Sequence, residues 1–401
     1  MLRILCLIVF VPAFAAAAPQ RSQERLDALL TDYDSAIAAR TDAAALDARR
    51  DAIDREAGQK DAAWSRLFWH TDLGSARGEA RRRGRPILSL RLLGRLDEEM
   101  SCANSRFFRV ALYADTAINR HLRDNFVLHW QSVRDVPVMT VQFADGRQIR
   151  RPITGNSMHL ILTSNGRVLD ALPGMYSPQQ FLLALQRHTP AAVIPTRMPA
   201  LDFGLPPAFP RAVPASDRLT LTTEARPNAY VAAGVTLQVT MPRMQPFPRP
   251  ARPDAAAAGR LAMSKVAFEG PSLRDGGLRD TLPPAVAVVD VPPVVFGANA
   301  LVLMALKSGE PAGSEAFNGR MTAFRKTVRQ DTQINERELR PRVLEMIGRD
   351  GASDPEVFTA RVYRDVFLMP LDDAWAGLNP EDVFTALPRE GVHQPVASAG
   401  R

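Results

Sequence analysis

The stretch PILSLRLL, residues 86–93, decides the predicted fold, because it is a short apolar run of the length typical of a buried strand. Residues 105–123 follow it with apolar side chains at helical spacing, and FVLHW, residues 126–130, is a second short apolar run. A strand, a helix and a strand in this order predict a right-handed crossover between two parallel strands.

Two β-hairpins are predicted next, since in each an apolar stretch leads into a dipeptide that favours tight turns. The first joins VMTVQF, residues 138–143, to Asp145-Gly146 and RQI. The second joins MHLILT, residues 158–163, to Asn165-Gly166 and RVLDAL. The second hairpin has the strongest short-range turn signal in the chain, so we expect it to follow the crossover unit in the fold.

A helix is expected to end this region at FLLALQ, residues 181–186, with Ser177 as its cap and Pro178 at its first position. The fold class that these elements predict is α/β, with a βαβ unit, a β-hairpin and a final helix packed as a sandwich. We assign this domain to residues 64–188.

The first 17 residues have the layout of a secretory signal peptide, with a basic Arg3, an apolar run over residues 4–14 and small residues at 15–17. The alternative is an uncleaved membrane anchor, but the run is shorter than the roughly 20 residues that span a bilayer. We therefore expect cleavage near Ala17, export to the periplasm or beyond the cell, and no transmembrane segment in the mature chain.

Helical extensions and a linker are predicted on either side of the α/β region. Residues 18–63 are expected to be helical, since residues 22–57 have the spacing of an amphipathic helix or a pair of them. Residues 189–312 are expected to be an extended linker with a small sheet, because 13 prolines among residues 190–254 exclude a continuous helix over most of that segment. Residues 313–401 are predicted to form a helical unit.

Several shorter signals lie in these flanks. Residues 218–223 and 235–240 are the two strand-like stretches of the linker. In the helical unit, Pro341 interrupts an apolar face, residues 353–356 read as a capping box with proline in the first turn, and Asn379-Pro380 opens one more short helix.

Composition and charge narrow the classes of partner. The hydrophobic content of 46% and charged content of 23% are those of an ordinary globular protein, and the net charge is +7. The basic run at residues 81–85 is interpreted as a solvated helix end, with a polyanion or an anionic membrane surface as the alternative. Because aromatic and basic residues are not interleaved, we expect no nucleic-acid partner, and no motif calls for a cofactor.

Four segments together resemble the thioredoxin-like superfamily: RPILSLRLL at residues 85–93, Cys102 at a helix start, AINRHLRDNFVLHW at residues 117–130, and the Asn165-Gly166 hairpin. The resemblance covers residues 66–188, about a third of the chain. The wider sequence, including DTQINERELRPRV and VYRDVFLMPLDDAWAGL, is similar to secreted bacterial proteins.

The redox motif of that superfamily is incomplete here. Its enzymes carry Cys-x-x-Cys after a tryptophan, and a cis-proline that faces the pair. Cys102 matches the first cysteine, whereas Ser105 replaces the second and Ser101 replaces the tryptophan. Met158, or Ser157 in the neighbouring register, takes the cis-proline position. Because dithiol exchange needs a second thiol to release the mixed disulfide, a thioredoxin-type reductase is excluded for this chain acting alone.

Cys102 has two interpretations. A thiol at a helix N-terminus near a cation is activated, and Arg106 lies one helical turn further on. Against this, residues 97–99 are acidic, and a helix that begins near Asp97 would leave Cys102 inside it. The default interpretation is a half-buried structural cysteine, because unpaired cysteines are commonly buried.

Asn104 and Asn156 are candidates for a polar binding notch near the former redox site, together with Ser157 and Met158. The resembled fold places His129 and His159 on strands that flank the central one on opposite sides. We therefore expect no metal site in which these two histidines converge.

The function that the sequence favours is that of a redox-silent protein that binds a peptide or protein partner. The alternative is a monothiol oxidoreductase or redox sensor with Cys102 as nucleophile, Arg106 stabilising its thiolate and Ser105 donating a hydrogen bond. A third hypothesis makes Cys102 a covalent link between two copies of the chain.

Overall fold

The computed structural model describes residues 21–152, 155–189, 236–240 and 291–374. It is a mixed α/β structure with a four-stranded mixed sheet and a second, smaller sheet. Its strands are β1 (Ile87–Leu93), β2 (Val127–Arg134), β3 (Val138–Gln142), β4 (Gln148–Pro152), β5 (Met158–Leu162), β6 (Val168–Pro173) and β7 (Thr236–Thr240).

Helices account for most of the remaining described residues. They are α1 (Gln23–Ala38), α2 (Ala43–Ala57), α3 (Ala62–Ser65), α4 (Leu73–Arg83), α5 (Ala103–Phe107), α6 (Thr116–Asn125), α7 (Pro178–Gln186), α8 (Ala298–Ser308), α9 (Glu315–Ile334), α10 (Arg340–Asp350) and α11 (Pro355–Asp365). Two π-helical turns, at Phe108–Leu112 and Asn335–Leu339, continue α5 and α9.

The main sheet has the strand order β2-β1-β5-β6. β1 is parallel to β2, antiparallel to β5, and buried along its whole length. β5 and β6 are antiparallel and form the hairpin predicted around Asn165-Gly166. The predicted crossover between parallel strands and the hairpin that follows it are therefore confirmed, because short apolar runs and turn residues are local signals.

The crossover between β1 and β2 differs from the single helix predicted over residues 105–123. The π-helical turn ends at Leu112, and α6 begins after Asp115, whose carboxylate accepts hydrogen bonds from Ala117 N at 3.0 Å and Ile118 N at 3.2 Å. This side-chain cap makes a new helix start more favourable than a continuous helix.

The first predicted hairpin belongs to the second sheet. β3 pairs with β4 in the antiparallel direction, and the backbone of β7 pairs with the other edge of β3. The strand predicted at residues 235–240 is thus confirmed, whereas the one predicted at residues 218–223 lies outside the described residues.

The N-terminal segment is a pair of helices, which is one of the two alternatives predicted for it, the other being a single amphipathic helix. α1 and α2 pack on each other around a small cluster of their own, which contains Leu26, Leu30 and Ile53. Gly58 ends α2 in the left-handed conformation with φ of 68°, which glycine adopts without a steric penalty.

The C-terminal helices share the hydrophobic core of the main sheet. Val168 N of β6 donates to Ala352 O at 3.1 Å, and Arg340 of α10 pairs with Asp170 of β6 at 2.6 Å. Ser177 N, at the cap of α7, donates to Thr332 Oγ1 at 2.8 Å. These contacts place α9 and α10 against the β6 side of the sheet, whereas Glu356 of α11 pairs with Arg91 of β1 at 2.7 Å.

The flanks agree with the predictions only in part. α8 lies within residues 189–312, which were expected to be a linker. The capping box predicted at residues 353–356 was wrong in its cap, which is Asp354 and not Ser353, since the Asp354 side chain accepts from Glu356 N and Val357 N; Pro355 lies in the first turn as predicted. The predicted signal peptide and the helix predicted at Asn379-Pro380 lie outside the described residues. Among the helices that are described, none is both long and apolar enough to cross a bilayer.

Candidate functional site

Cys102 lies at the N-terminus of α5, just after the loop that leaves β1. Its backbone N–H donates to Leu93 O at 3.1 Å, and its own backbone is extended, with φ of −59° and ψ of 158°. Residues 97–101 are not helical. The prediction of a helix that begins near Asp97 was therefore wrong, and Cys102 is the N-cap residue of α5.

The thiol of Cys102 is completely buried, with 0% of the residue exposed. Its Sγ donates to Ser105 Oγ at 3.5 Å, while Ser105 Oγ donates to Cys102 O at 2.9 Å. A serine hydroxyl has one proton to donate. Because Ser105 uses it on the carbonyl, Ser105 accepts from the thiol here, whereas the monothiol hypothesis required it to donate to the sulfur.

Gly155 closes one side of the thiol. Its φ is 142°, and a Cβ atom added at this position would overlap Cys102 Cβ and lie 3.7 Å from Cys102 Sγ. The backbone of Gly155 therefore packs directly on the cysteine, with no room for a substrate atom between them.

Two buried tyrosines complete the surroundings of Cys102. Burial, with a smaller contribution from the Cys102 sulfur, raises the pKa of Tyr113 and of Tyr363 well above the usual value. Tyr113 Oη lies 2.7 Å from His159 Nε2, and burial lowers the pKa of His159 to about 3. Tyr363 Oη, from α11, donates to Asn156 O at 2.7 Å. A helix from the C-terminal unit thus contributes directly to this buried cluster.

Arg106 lies on α5, but its described contact differs from the predicted one. Its Nε donates to Ser101 O at 3.0 Å, which ties the helix to the preceding loop. The acidic residues before Cys102 also have their own partners, since Asp97 pairs with Arg95 at 2.6 Å and Glu99 with Lys307 at 3.3 Å. The charges expected to tune the thiol therefore serve mainly to hold the loop.

The four predicted binding residues are all buried. Asn104, Ser157 and Met158 have no exposed surface, and Asn156 retains 8%. Among the described residues, no hydrogen-bond partner is present for either amide atom of Asn104, for Ser157 Oγ or for Ser101 Oγ. The structure places these side chains in the interior, so the predicted notch is closed to a partner in this conformation.

The histidines lie as expected, on strands that flank β1 on opposite sides. His129 of β2 pairs in register with Ser89, and His159 of β5 pairs with Leu90. Ser89 Oγ lies 2.8 Å from His129 Nδ1, but both residues are fully buried and a substrate has no access to them. No group of three or more histidine, cysteine or acidic side chains within the described ranges is arranged to hold a metal ion.

Comparison of the chain with protein-family models, with curated proteins and with solved structures gives no match.

Sequence reasoning missed three residues that determine the state of the thiol, namely Gly155, Tyr113 and Tyr363. Gly155 follows a strand and has a positive φ, which an isolated glycine in a polar stretch signals only weakly. Tyr363 is 261 positions from Cys102 along the chain. No local pattern indicates a contact over such a separation.

Proposed function

We propose that this chain is an exported, redox-silent protein with a thioredoxin-like domain, which acts by binding a peptide or protein partner. The parallel pair β1–β2, followed by the antiparallel strands β5 and β6, supports the fold in this proposal. Export rests on the sequence pattern of residues 1–17.

The complete burial of Cys102 is the observation that carries the redox-silent part of the proposal. Thiol–disulfide exchange requires the sulfur to be approached by its partner, so its rate depends on access. Here Gly155 packs on the cysteine, and Tyr363 of α11 bonds to the backbone beside Gly155, at Asn156. The monothiol hypothesis and the covalent-dimer hypothesis both need an approach that this packing denies.

The test is the rate at which iodoacetamide alkylates Cys102 in the folded protein across a range of pH. For a thiol that reacts only after unfolding, we expect the folded protein to react at least about 1,000-fold more slowly than the denatured chain, given ordinary domain stability. Mass spectrometry of the modified peptide measures both rates.

Cys102→Ala is the matched control, because it leaves Cys6 as the other cysteine and reveals any labelling of an uncleaved chain. Fast alkylation of the folded protein, with a thiolate that forms well below the free-cysteine pKa of about 8.5, would contradict the proposal in favour of the monothiol enzyme or sensor.

A further inference from the structure

An open cleft of about 510 Å³ lies where the end of α2, the loop after β1 and the middle of β2 meet. Its walls carry three arginines, Arg21, Arg55 and Arg95, and one carboxylate, Asp97. The cleft is therefore positively charged, and it is separate from the buried cluster around Cys102.

Arg21 brings a half-buried cation to the cleft, and the acceptors of its hydrogen bonds are all neutral. Its guanidinium donates to Trp69 O at 3.1 Å, Thr71 Oγ1 at 3.0 Å and Glu56 O at 3.4 Å. The carboxylate of Glu56 is occupied elsewhere, by Ser22 N at 2.6 Å and Arg25 at 3.3 Å. Since arginine stays protonated in proteins, Arg21 keeps its positive charge, and the carboxylates of Glu56 and Asp97 attract it from a distance without forming an ion pair with it.

Gly58 makes the position of Arg21 possible. A Cβ atom at Gly58 would overlap the Arg21 guanidinium, and the backbone there has φ of 68°. The glycine that ends α2 thus also provides the space in which the cation sits.

The other two arginines differ in how far their charge is neutralised. Arg95 donates to both carboxylate oxygens of Asp97, at 2.9 and 2.6 Å, and its guanidinium lies over the Trp130 ring at 5.3 Å. Arg55 is exposed in the last turn of α2 and forms no ion pair with a described residue. Glu98 also pairs with Arg95, at 3.2 Å, so the positive charge of the cleft comes from Arg21 and Arg55.

We propose that this cleft binds an acidic peptide segment, with Arg21 and Arg55 as the anchors for its carboxylates. The inference rests on the proposed binding function and names the chemistry of the partner. The exposed guanidinium of Arg55 can bind a planar carboxylate in bidentate geometry, whereas Arg21, whose Nη2 hydrogens bond to Trp69 O and Thr71 Oγ1, contributes its positive charge. Asp97 on the wall and Glu98 beside it repel densely charged groups, which favours carboxylates over phosphates.

The experiment uses a fluorescein-labelled tetraglutamate peptide and the full mature chain, with fluorescence anisotropy as the readout. We expect binding that weakens as salt is added, because screening acts over about 10 Å at 0.1 M ionic strength. Arg55→Gln should weaken binding by about tenfold, the size of change that follows from loss of one charge-assisted hydrogen-bonded contact.

The matched control is Arg81→Gln. Arg81 is also an exposed arginine in the last turn of a helix, α4, but it does not line the cleft. Its substitution should leave the affinity for tetraglutamate unchanged. Equal weakening by both substitutions would overturn the assignment, because it would show that net charge alone attracts the peptide.

Three further outcomes overturn the inference: no binding of tetraglutamate by the wild-type chain, equal affinity for tetraglutamine, or displacement of the peptide by inorganic phosphate at equal charge concentration. The alkylation test reports on Cys102 alone. A reactive thiol combined with Arg55-dependent peptide binding would defeat the redox-silent proposal and leave the cleft assignment standing, and an inert thiol without peptide binding would do the reverse.

Discussion

The buried cluster around Cys102 and the arginine cleft both include residues of the loop after β1, where Arg95 and Cys102 lie seven positions apart, and yet they have opposite access to solvent. Arg95 lies over Trp130 on an open wall, whereas Cys102 has no exposed surface. The difference in exposure arises from distant segments, since α11 brings Tyr363 to the buried cluster around Cys102. Polar residues in a loop after a strand therefore do not by themselves mark an accessible site.

The largest effect is expected from Tyr363→Ala, which removes a fully buried side chain that links α11 to the backbone at Asn156. We expect a loss of about 3–5 kcal/mol in the free energy of unfolding, as for other large-to-small core substitutions. Denaturant unfolding measures it. Alkylation of Cys102 should become faster, while tetraglutamate affinity should stay as in the wild type.

Tyr363→Phe is the control, since it keeps the ring and loses only the hydroxyl, with a cost of about 1–2 kcal/mol. If both substitutions accelerate alkylation equally, the α11 side chain is not what shields the thiol.

Gly155→Ala should be the next largest. The added Cβ meets Cys102 Cβ, and the backbone φ of 142° is unfavourable for alanine. We expect a destabilisation of about 2–4 kcal/mol, measured by thermal unfolding. Gly78→Ala in α4, where nothing lies within 4 Å of the new Cβ, should instead be neutral or stabilise by up to about 1 kcal/mol. If Gly155→Ala left thermal stability unchanged, the packing of Gly155 on Cys102 would be loose.

The dependence of the free energy of unfolding on pH should report on His159, which lies in the interior and not in the cleft. Burial lowers the pKa of His159 from 6.5 to about 3. Above pH 6.5 the histidine is neutral in both states, and below it only the unfolded chain gains the proton. Stability should therefore fall between pH 6.5 and about 4, by about 2–3 kcal/mol for this group.

His159→Gln keeps an acceptor for Tyr113 Oη and removes the titration, so its stability should depend less on pH over that range. Urea unfolding at several pH values is the measurement. If the free energy of unfolding changed with pH equally in the variant and the wild type, His159 would not be buried as a neutral group.

The smallest effect on stability belongs to the cleft. Arg55 is exposed and forms no ion pair with a described residue, so Arg55→Gln should change the free energy of unfolding by less than about 0.5 kcal/mol. A larger loss in denaturant unfolding would mean that Arg55 holds the fold, and its effect on peptide binding would then need a second interpretation.

Much of the fold could be predicted because its signals are local. The apolar runs that became β1 and β2, the Asn165-Gly166 turn and the Ser177 cap with Pro178 each act within a few residues. The break at Asp115 was missed, because apolar spacing continues across it and only the side-chain cap ends the helix.

The candidate site was predicted less well. The position of Cys102 at a helix N-terminus is a local property, and the alternative start near Asp97 was wrong because residues 97–101 form a loop held by Arg95 and Lys307. The burial of Asn104, Ser157 and Met158 depends on packing that no spacing rule contains.

By itself, the sequence determined β1, β2, the Asn165-Gly166 hairpin and α7 in that order, and the loss of a second cysteine at Ser105, because these follow from side-chain type at fixed spacing. Only the tertiary structure decided that Cys102 is sealed and that Arg21 and Arg55 share an open cleft. Both results arise from contacts between segments far apart in the chain, which fold together because each covers apolar surface that the other leaves exposed.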